Sequence, residues 1–146
     1  MLNILSTAVP CDYACVFGIS NPCYGIEPGA SNSVFKKHKS YILNGGPGGR
    51  VYWFYFFKLP QRAYGDKIPV YTKEDEEKIL KSIEDDDITP NMKFKKVIEE
   101  KISSVLVPLQ EYVFRQWHYD RIIAIGDASH KVRIDQLLLM VGADQL

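Results

Sequence analysis

Apolar residues in the first half of the chain come in short β-branched and aromatic runs. Ala14–Ser20 is one such run, stopped by Asn21-Pro22, and it predicts a strand. Asn21 to Ser33 is rich in Gly, Pro, Ser and Asn and predicts a loop. Ser40–Leu43 and Arg50–Phe57 flank the glycine-rich Asn44–Gly49, which is the pattern of a hairpin. The second of these strands is aromatic on both faces. One face is expected to pack on a core, and the other to line a second layer, a partner domain or a ligand cavity. The period then changes. Thr72 followed by Lys73-Glu74-Asp75 reads as a cap and an acidic first turn, and Ile79, Leu80 and Ile83 share one face of a helix over 73–84. Thr89-Pro90 predicts the start of a second helix with Phe94, Val97, Ile98 and Ile102 as its stripe. Val105–Val107 is a strand that Pro108 ends or moves to a sheet edge. Last comes Ile122–Ile125, a buried-strand pattern leading into Gly126-Asp127, the arrangement in which a strand delivers a carboxylate to a ligand at its carboxyl end.

Composition narrows the classes. The 146 residues suffice for one domain with a core, and 18 basic against 18 acidic residues leave no net charge to attract nucleic acid. Cys11, Cys15 and Cys23 are odd in number and lack a histidine at zinc-finger spacing, so they read as free thiols of an intracellular protein, with a metal site or a disulfide as the alternative. No signal-peptide pattern is present and the longest apolar run, Val51–Phe57, is too short to span a bilayer; the expectation is an intracellular chain, cytoplasmic or loosely membrane-associated. The glycine cluster lacks the Lys-Ser/Thr and the following helix of a phosphate loop. Glu84–Asp87 lacks calcium-loop spacing and reads as a solvated loop. Asp127 is either a cofactor carboxylate or the cap of a following turn. His130 is a general base or a packed turn residue, His38 and His118 are surface positions, and Trp53 and Trp117 are expected in the core.

Four ordered blocks carry a family likeness. Trp117-x-x-x-Arg121, an apolar strand and Gly126-Asp127-Ala128-Ser129-His130-Lys131 together resemble the second flavin-contacting motif of FAD-dependent monooxygenases of the para-hydroxybenzoate-hydroxylase-like fold. Tyr13–Ser20, Gly49–Phe54 and Ile88-Thr89 are similar to blocks of the fungal branch that epoxidises prenyl chains in indole-diterpene and meroterpenoid biosynthesis. The likeness runs from Tyr13 to Val132. It implies an α+β fold, with an antiparallel substrate-side sheet, two helices and one strand of an incomplete FAD-binding α/β domain. It also implies FAD as cofactor, NADPH as reductant, and oxygen transfer to an apolar prenylated or terpenoid substrate. Gly126 and Asp127 are the implied cofactor-binding residues, the aspartate accepting from the ribityl–pyrophosphate region. The sheet containing Tyr41 and Val51–Phe57 becomes the layer over the flavin. No catalytic residue and no metal are implied.

The sequence departs from the family at both ends. No Gly-x-Gly-x-x-Gly occurs, and Lys131 is not followed by the family's proline-containing Gly-x-Gly loop. Upstream, Phe35 stands where relatives often carry tyrosine. The expected division is a substrate-side portion over 1–115, a partial FAD motif over 116–132 and a divergent tail over 133–146. The whole reads as a truncated, carboxyl-terminal-half fragment, inactive alone, whose partner is the missing FAD-domain half. The competing reading is a non-enzymatic binding module that uses its aromatic sheet face.

Overall fold

A computed structural model describes residues 9–131. The aromatic run forms the long strand β4 (Val51–Tyr64), preceded by β1 (Pro10–Ser20), β2 (Ser31–Lys36) and β3 (Lys39–Gly45). β3 and β4 pair antiparallel from Lys39↔Phe57 to Gly45↔Val51. The turn between them is a 3-10 turn over Pro47–Gly49, in which Gly48 and Gly49 have φ of 69° and 77°. That is the left-handed region open to a residue without Cβ. β2 pairs with β3 through a two-residue turn, Lys37-His38. It takes up the end of the predicted loop, because once Ser31–Ser33 lie opposite Asn44–Ile42 their backbone groups find ladder partners.

After β4 come α1 (Lys73–Ile83), β5 (Asp87–Thr89), β6 (Met92–Lys93), α2 (Lys95–Glu99) and β7 (Lys101–Gln110). The main sheet has the order β2-β3-β4-β1-β7. β7 is an edge strand, which is where Pro108 can sit without costing a ladder bond. Among the described residues the fold is α+β with two α-helices, as expected. Helix α1 starts as its sequence indicates: the Thr72 hydroxyl accepts from the Asp75 N–H, and the Asp75 carboxylate accepts from the Thr72 N–H.

The second helix corrects the sequence reading. Thr89-Pro90 does not open it; Pro90 turns β5 into β6, and the helix begins only at Lys95. Backbone bonds from Phe94 N–H to the Asp86 carbonyl (2.8 Å) and from Lys95 N–H to the Glu84 carbonyl (2.7 Å) close this hairpin. Proline is as well suited to a turn as to a first helical position, so the dipeptide alone does not decide between them. Phe94 and Val97 are fully buried, whereas Ile102 lies on β7 and is exposed.

Backbone contacts divide the chain into two units. One comprises Ala14–Lys58 and Val70–Val107; the described part of the other is residues 9–13, 59–69 and 108–131. In the first unit the core is built around Trp53, which is 0% exposed. Its indole lies against Gly18 on β1, so close that an added Cβ would fall 2.0–2.5 Å from three of its ring atoms. The indole N–H donates to Ser20 Oγ (2.8 Å), and the Ser20 hydroxyl donates to the Val97 carbonyl (2.7 Å). Phe94 stands edge-on to Trp53 at 5.2 Å and packs on Tyr41 at 5.0 Å. On the opposite face of the same sheet, Phe17 meets Phe54 edge-on at 4.5 Å, and Phe54 stacks with Phe56. Phe17, Phe35 and Tyr52 remain substantially exposed there. The expected two-sided aromatic strand is thus present, with one face closed and one open.

In the second unit, Asp12 and Arg62 form a bidentate ion pair with contacts of 2.7–3.0 Å, and Leu59 and Ala63 are buried. Beyond β7 the pairings are short: β8 (Tyr112–Val113) with β11 (His130–Lys131), and β9 (His118–Tyr119) with β10 (Ile122–Ile123). The predicted buried strand Ile122–Ile125 is corrected here. Only Ile122 and Ile123 are in a strand, and Ile122, Ile123 and Ile125 are 71–78% exposed. An apolar run of four is buried only where neighbouring strands and helices cover it, and among the described residues its one strand partner is the two-residue β9. Trp117 departs from expectation for the same reason, being 43% exposed. The tail over 133–146 lies outside the described residues.

Candidate functional site

The Gly126-Asp127 turn is held by an unexpectedly dense set of contacts. Gly126–Ala128 forms a 3-10 turn in which Gly126 has φ of 59° and nothing lies within 4 Å of an added Cβ. Glycine is required there by backbone conformation, with no crowding involved. Ser129, fully buried, ties the turn to itself, its N–H and hydroxyl both donating to the Gly126 carbonyl at 3.0 Å. The Tyr112 hydroxyl donates to the Asp127 carbonyl (2.8 Å), and the Phe114 N–H donates to the Ser129 carbonyl (2.9 Å). The Trp117 ring stacks on His130 at 5.0 Å and 9°, and its indole N–H donates to the Phe114 carbonyl (2.6 Å). His130 is therefore a packed residue of the turn, its Nδ1 3.1 Å from Ser129 Oγ. At the centre of this framework the Asp127 side chain is exposed and makes no hydrogen bond or ion pair with any described residue.

Of the residues singled out from sequence, the structure brings Gly126, Asp127, His130 and Trp117 together. His118 is separate and exposed, lining a shallow cavity of about 290 Å³ with Gln116, Trp117, Tyr119, Ile122 and Ala124. His38 is at a hairpin turn. Tyr112 and Phe114 were invisible as site residues; a connector gives no signal of which backbone atoms it grips. The cysteines are buried free thiols, and burial pushes Cys15 up to about 12 against a weaker opposing hydrogen bond at the Tyr55 backbone. Among the described residues no group of three or more His, Cys, Asp or Glu is placed to hold a metal, and no helix is long and apolar enough to cross a membrane.

A second polar cluster corrects the reading of Glu84–Asp87 as a solvated loop. Asp86 accepts from Lys36 (3.2 Å), Lys39 (2.5 Å) and the Tyr41 hydroxyl. Burial works to raise the Asp86 pKa, but the hydrogen bonds from Lys39, Tyr41 and Lys36 outweigh it and hold the carboxyl below its ordinary value. Burial and the same carboxylate push Tyr41 upward, and burial foremost takes Tyr55 up to about 12. These groups clasp the β2–β3 hairpin to the segment after α1. Their polar atoms are spent on one another, so the cluster is a structural clasp and the Asp127 turn is the candidate site.

The cofactor implied by the sequence can be tested against this geometry. An exposed carboxylate on a fixed turn, with no hydrogen-bond partner among the described residues, suits the hydroxyl donors of a ribityl chain. The glycine-rich turn that would hold a pyrophosphate has no counterpart in the sequence.

No protein-family model matches the chain. Among curated proteins it is 36% identical over 126 residues to the FAD-dependent monooxygenase spyC of Aspergillus fumigatus, covering 86% of this chain and 26% of that protein. It is 32% identical over 128 residues to the FAD-dependent monooxygenase asqG of Emericella nidulans (88% and 23%). It is also 32% identical over 130 residues to the FAD-dependent monooxygenase olcE of Penicillium canescens (89% and 28%). The chain thus spans about a quarter of the length of these relatives. Among solved structures, the tetracycline destructase Tet(51) matches with a TM-score of 0.52 over 82% of this chain and 31% of that one, at 10% identity, which is a likeness of fold.

Proposed function

The chain is a homologue of one segment of the fungal FAD-dependent monooxygenases, and on that premise we propose that it supplies part of the FAD site and the substrate-side sheet of such an enzyme. The observation that carries this reading is the clamped turn with Asp127 at its centre, its side chain exposed and without a partner among the described residues. Asp127 holds the ribityl region of FAD by accepting hydrogen bonds from its hydroxyls, and Gly126 gives the backbone the conformation that brings the carboxylate there. FAD, reduced by NADPH, supplies the oxygen chemistry. The open face carrying Phe17, Tyr52 and Phe54 orients an apolar prenylated or terpenoid substrate and keeps water from it. The pyrophosphate cradle comes from polypeptide outside this sequence, so the chain alone holds FAD weakly and does not turn over.

The test is a fluorescence titration of FAD with the chain alone and with the separately expressed nucleotide-binding segment of a relative such as spyC. Stoichiometric binding is expected only in the mixture, weakened roughly tenfold or more by Asp127→Asn, as for loss of charge-assisted hydrogen bonds. Unaltered affinity in the Asp127→Asn mixture would refute the role of Asp127, and tight binding by the chain alone would refute the division of the cradle. The exposed aromatics Phe17 and Tyr52 favour one other reading, an interaction module. Self-association that ignores the added segment, seen by sedimentation, would support it.

A further inference from the structure

Three features of the segment before the turn hold it without touching the Asp127 side chain. Tyr112 reaches the turn with its hydroxyl, β8 pairs with β11 through Lys131↔Tyr112 and His130↔Val113, and Trp117 covers His130. Their shared property is where they grip. The Tyr112 phenol takes the backbone carbonyl of Asp127, although a carboxylate is in general the stronger acceptor. Had it taken the carboxylate, the turn would be fixed with its anion already occupied. Gripping the carbonyl fixes the turn and leaves both carboxylate oxygens available. The ring itself is steadied by Phe114 at 4.6 Å, and the Phe114 carbonyl in turn receives the Trp117 indole N–H. The anchors therefore form one connected set, from Tyr112 through Phe114 and Trp117 to His130.

We propose that Tyr112 is a positioning residue for Asp127, and that residues 112–117 are a clamp which presents the carboxylate before any ligand arrives. A preset carboxylate loses little conformational freedom on binding, so the clamp acts on affinity while touching no ligand atom. This rests on the FAD reading for the identity of the ligand and on the geometry alone for the clamp.

The test uses the full chain with Tyr112→Phe, which removes one hydroxyl and keeps the ring, and Trp117→Phe, which keeps an aromatic over His130. Amide exchange at Phe114 and Ser129 is expected to accelerate roughly tenfold in Tyr112→Phe, the size of one lost net hydrogen bond. Exchange along β4 and the melting temperature are expected to stay unchanged. Trp117→Phe is expected to accelerate the same two amides. In the FAD titration of the two-part mixture, Tyr112→Phe weakens binding several-fold without moving the melting temperature. Unchanged exchange at Phe114 and Ser129 overturns the proposal. So does faster exchange throughout with a lowered melting temperature, which marks a merely structural tyrosine. Faster local exchange in a mixture whose parent binds no FAD upholds the clamp and refutes the cofactor reading instead.

Discussion

Gly18→Ala is expected to destabilise the chain by about 1–3 kcal/mol, the cost of overpacking a close-packed site. The sign is the informative part. Glycine inside a strand ordinarily costs roughly 0.5–1 kcal/mol relative to alanine, so backbone entropy and strand propensity both predict a gain. The position of Trp53 reverses it. The indole lies where the new methyl must go, and it is not free to move: Phe94 abuts it, and its N–H is committed to Ser20, whose own hydroxyl is committed to Val97. Shifting the ring breaks that chain of bonds in a fully buried place, where a stranded donor carries its whole desolvation cost. Urea unfolding followed by tryptophan fluorescence in a Trp117→Phe background reads this directly from Trp53. A midpoint shifted down at constant slope is expected, and an unchanged or raised midpoint would show that the ring gives way freely. Trp53→Phe, which leaves no tryptophan in that background and is followed by far-ultraviolet circular dichroism instead, provides the comparison. It relieves nothing at Gly18 but removes the donor to Ser20, and is expected to cost about 1 kcal/mol for the lost bond beyond its change in packing.

That interlock also shows how far the residues alone carry. Ala14–Ser20 and Arg50–Phe57 were legible as strands from β-branched and aromatic content, and Thr72-x-x-Asp75 as a helix start, because those signals are local. Gly18, Ser20 and Trp53 belonged to two blocks of the family likeness, yet nothing in their spacing says that one tryptophan spans all three. The misreadings share a cause. Thr89-Pro90 serves a turn as readily as a helix, and the choice fell to backbone bonds between Phe94 and Asp86 and between Lys95 and Glu84. Ile122–Ile125 and Trp117 were read as buried from hydrophobicity alone, and burial is conferred by neighbours that the described residues do not supply. At the candidate site the motif residues Gly126 and Asp127 were visible, whereas Tyr112 and Phe114 act through a phenol on a carbonyl and an amide on a carbonyl, contacts with no sequence signature.

The Asp86 clasp predicts how the chain fails in acid. Asp86 and Glu76 are both partly or fully withdrawn from water, and both have carboxyl groups held below their ordinary range. For Glu76, burial again works upward and is outweighed by the hydrogen bonds from Ser104 and Lys73, with Lys101 nearby. A carboxyl whose folded pKa lies below its unfolded one binds fewer protons when folded. Its contribution to stability is complete above the unfolded value of about 4 and is lost as pH falls through the folded one. Stability is therefore expected to be flat from about pH 7 to 5 as far as these two groups go, and to fall steeply below about pH 4. Asp86→Ala is expected to cost about 2–3 kcal/mol at pH 7, since it strands the buried Tyr41 hydroxyl and frees two ammonium groups to repel. Asp86→Asn is expected to cost about half of that, because an amide oxygen still accepts from Tyr41 while Lys36 and Lys39, each about a third exposed, turn to solvent. The pH profile separates charge from packing: Asp86→Asn flattens the acid limb of the urea midpoint curve, and Glu76→Gln flattens it further. An acid limb as steep in the double variant as in the parent would place the acid-sensitive carboxylates elsewhere in the chain.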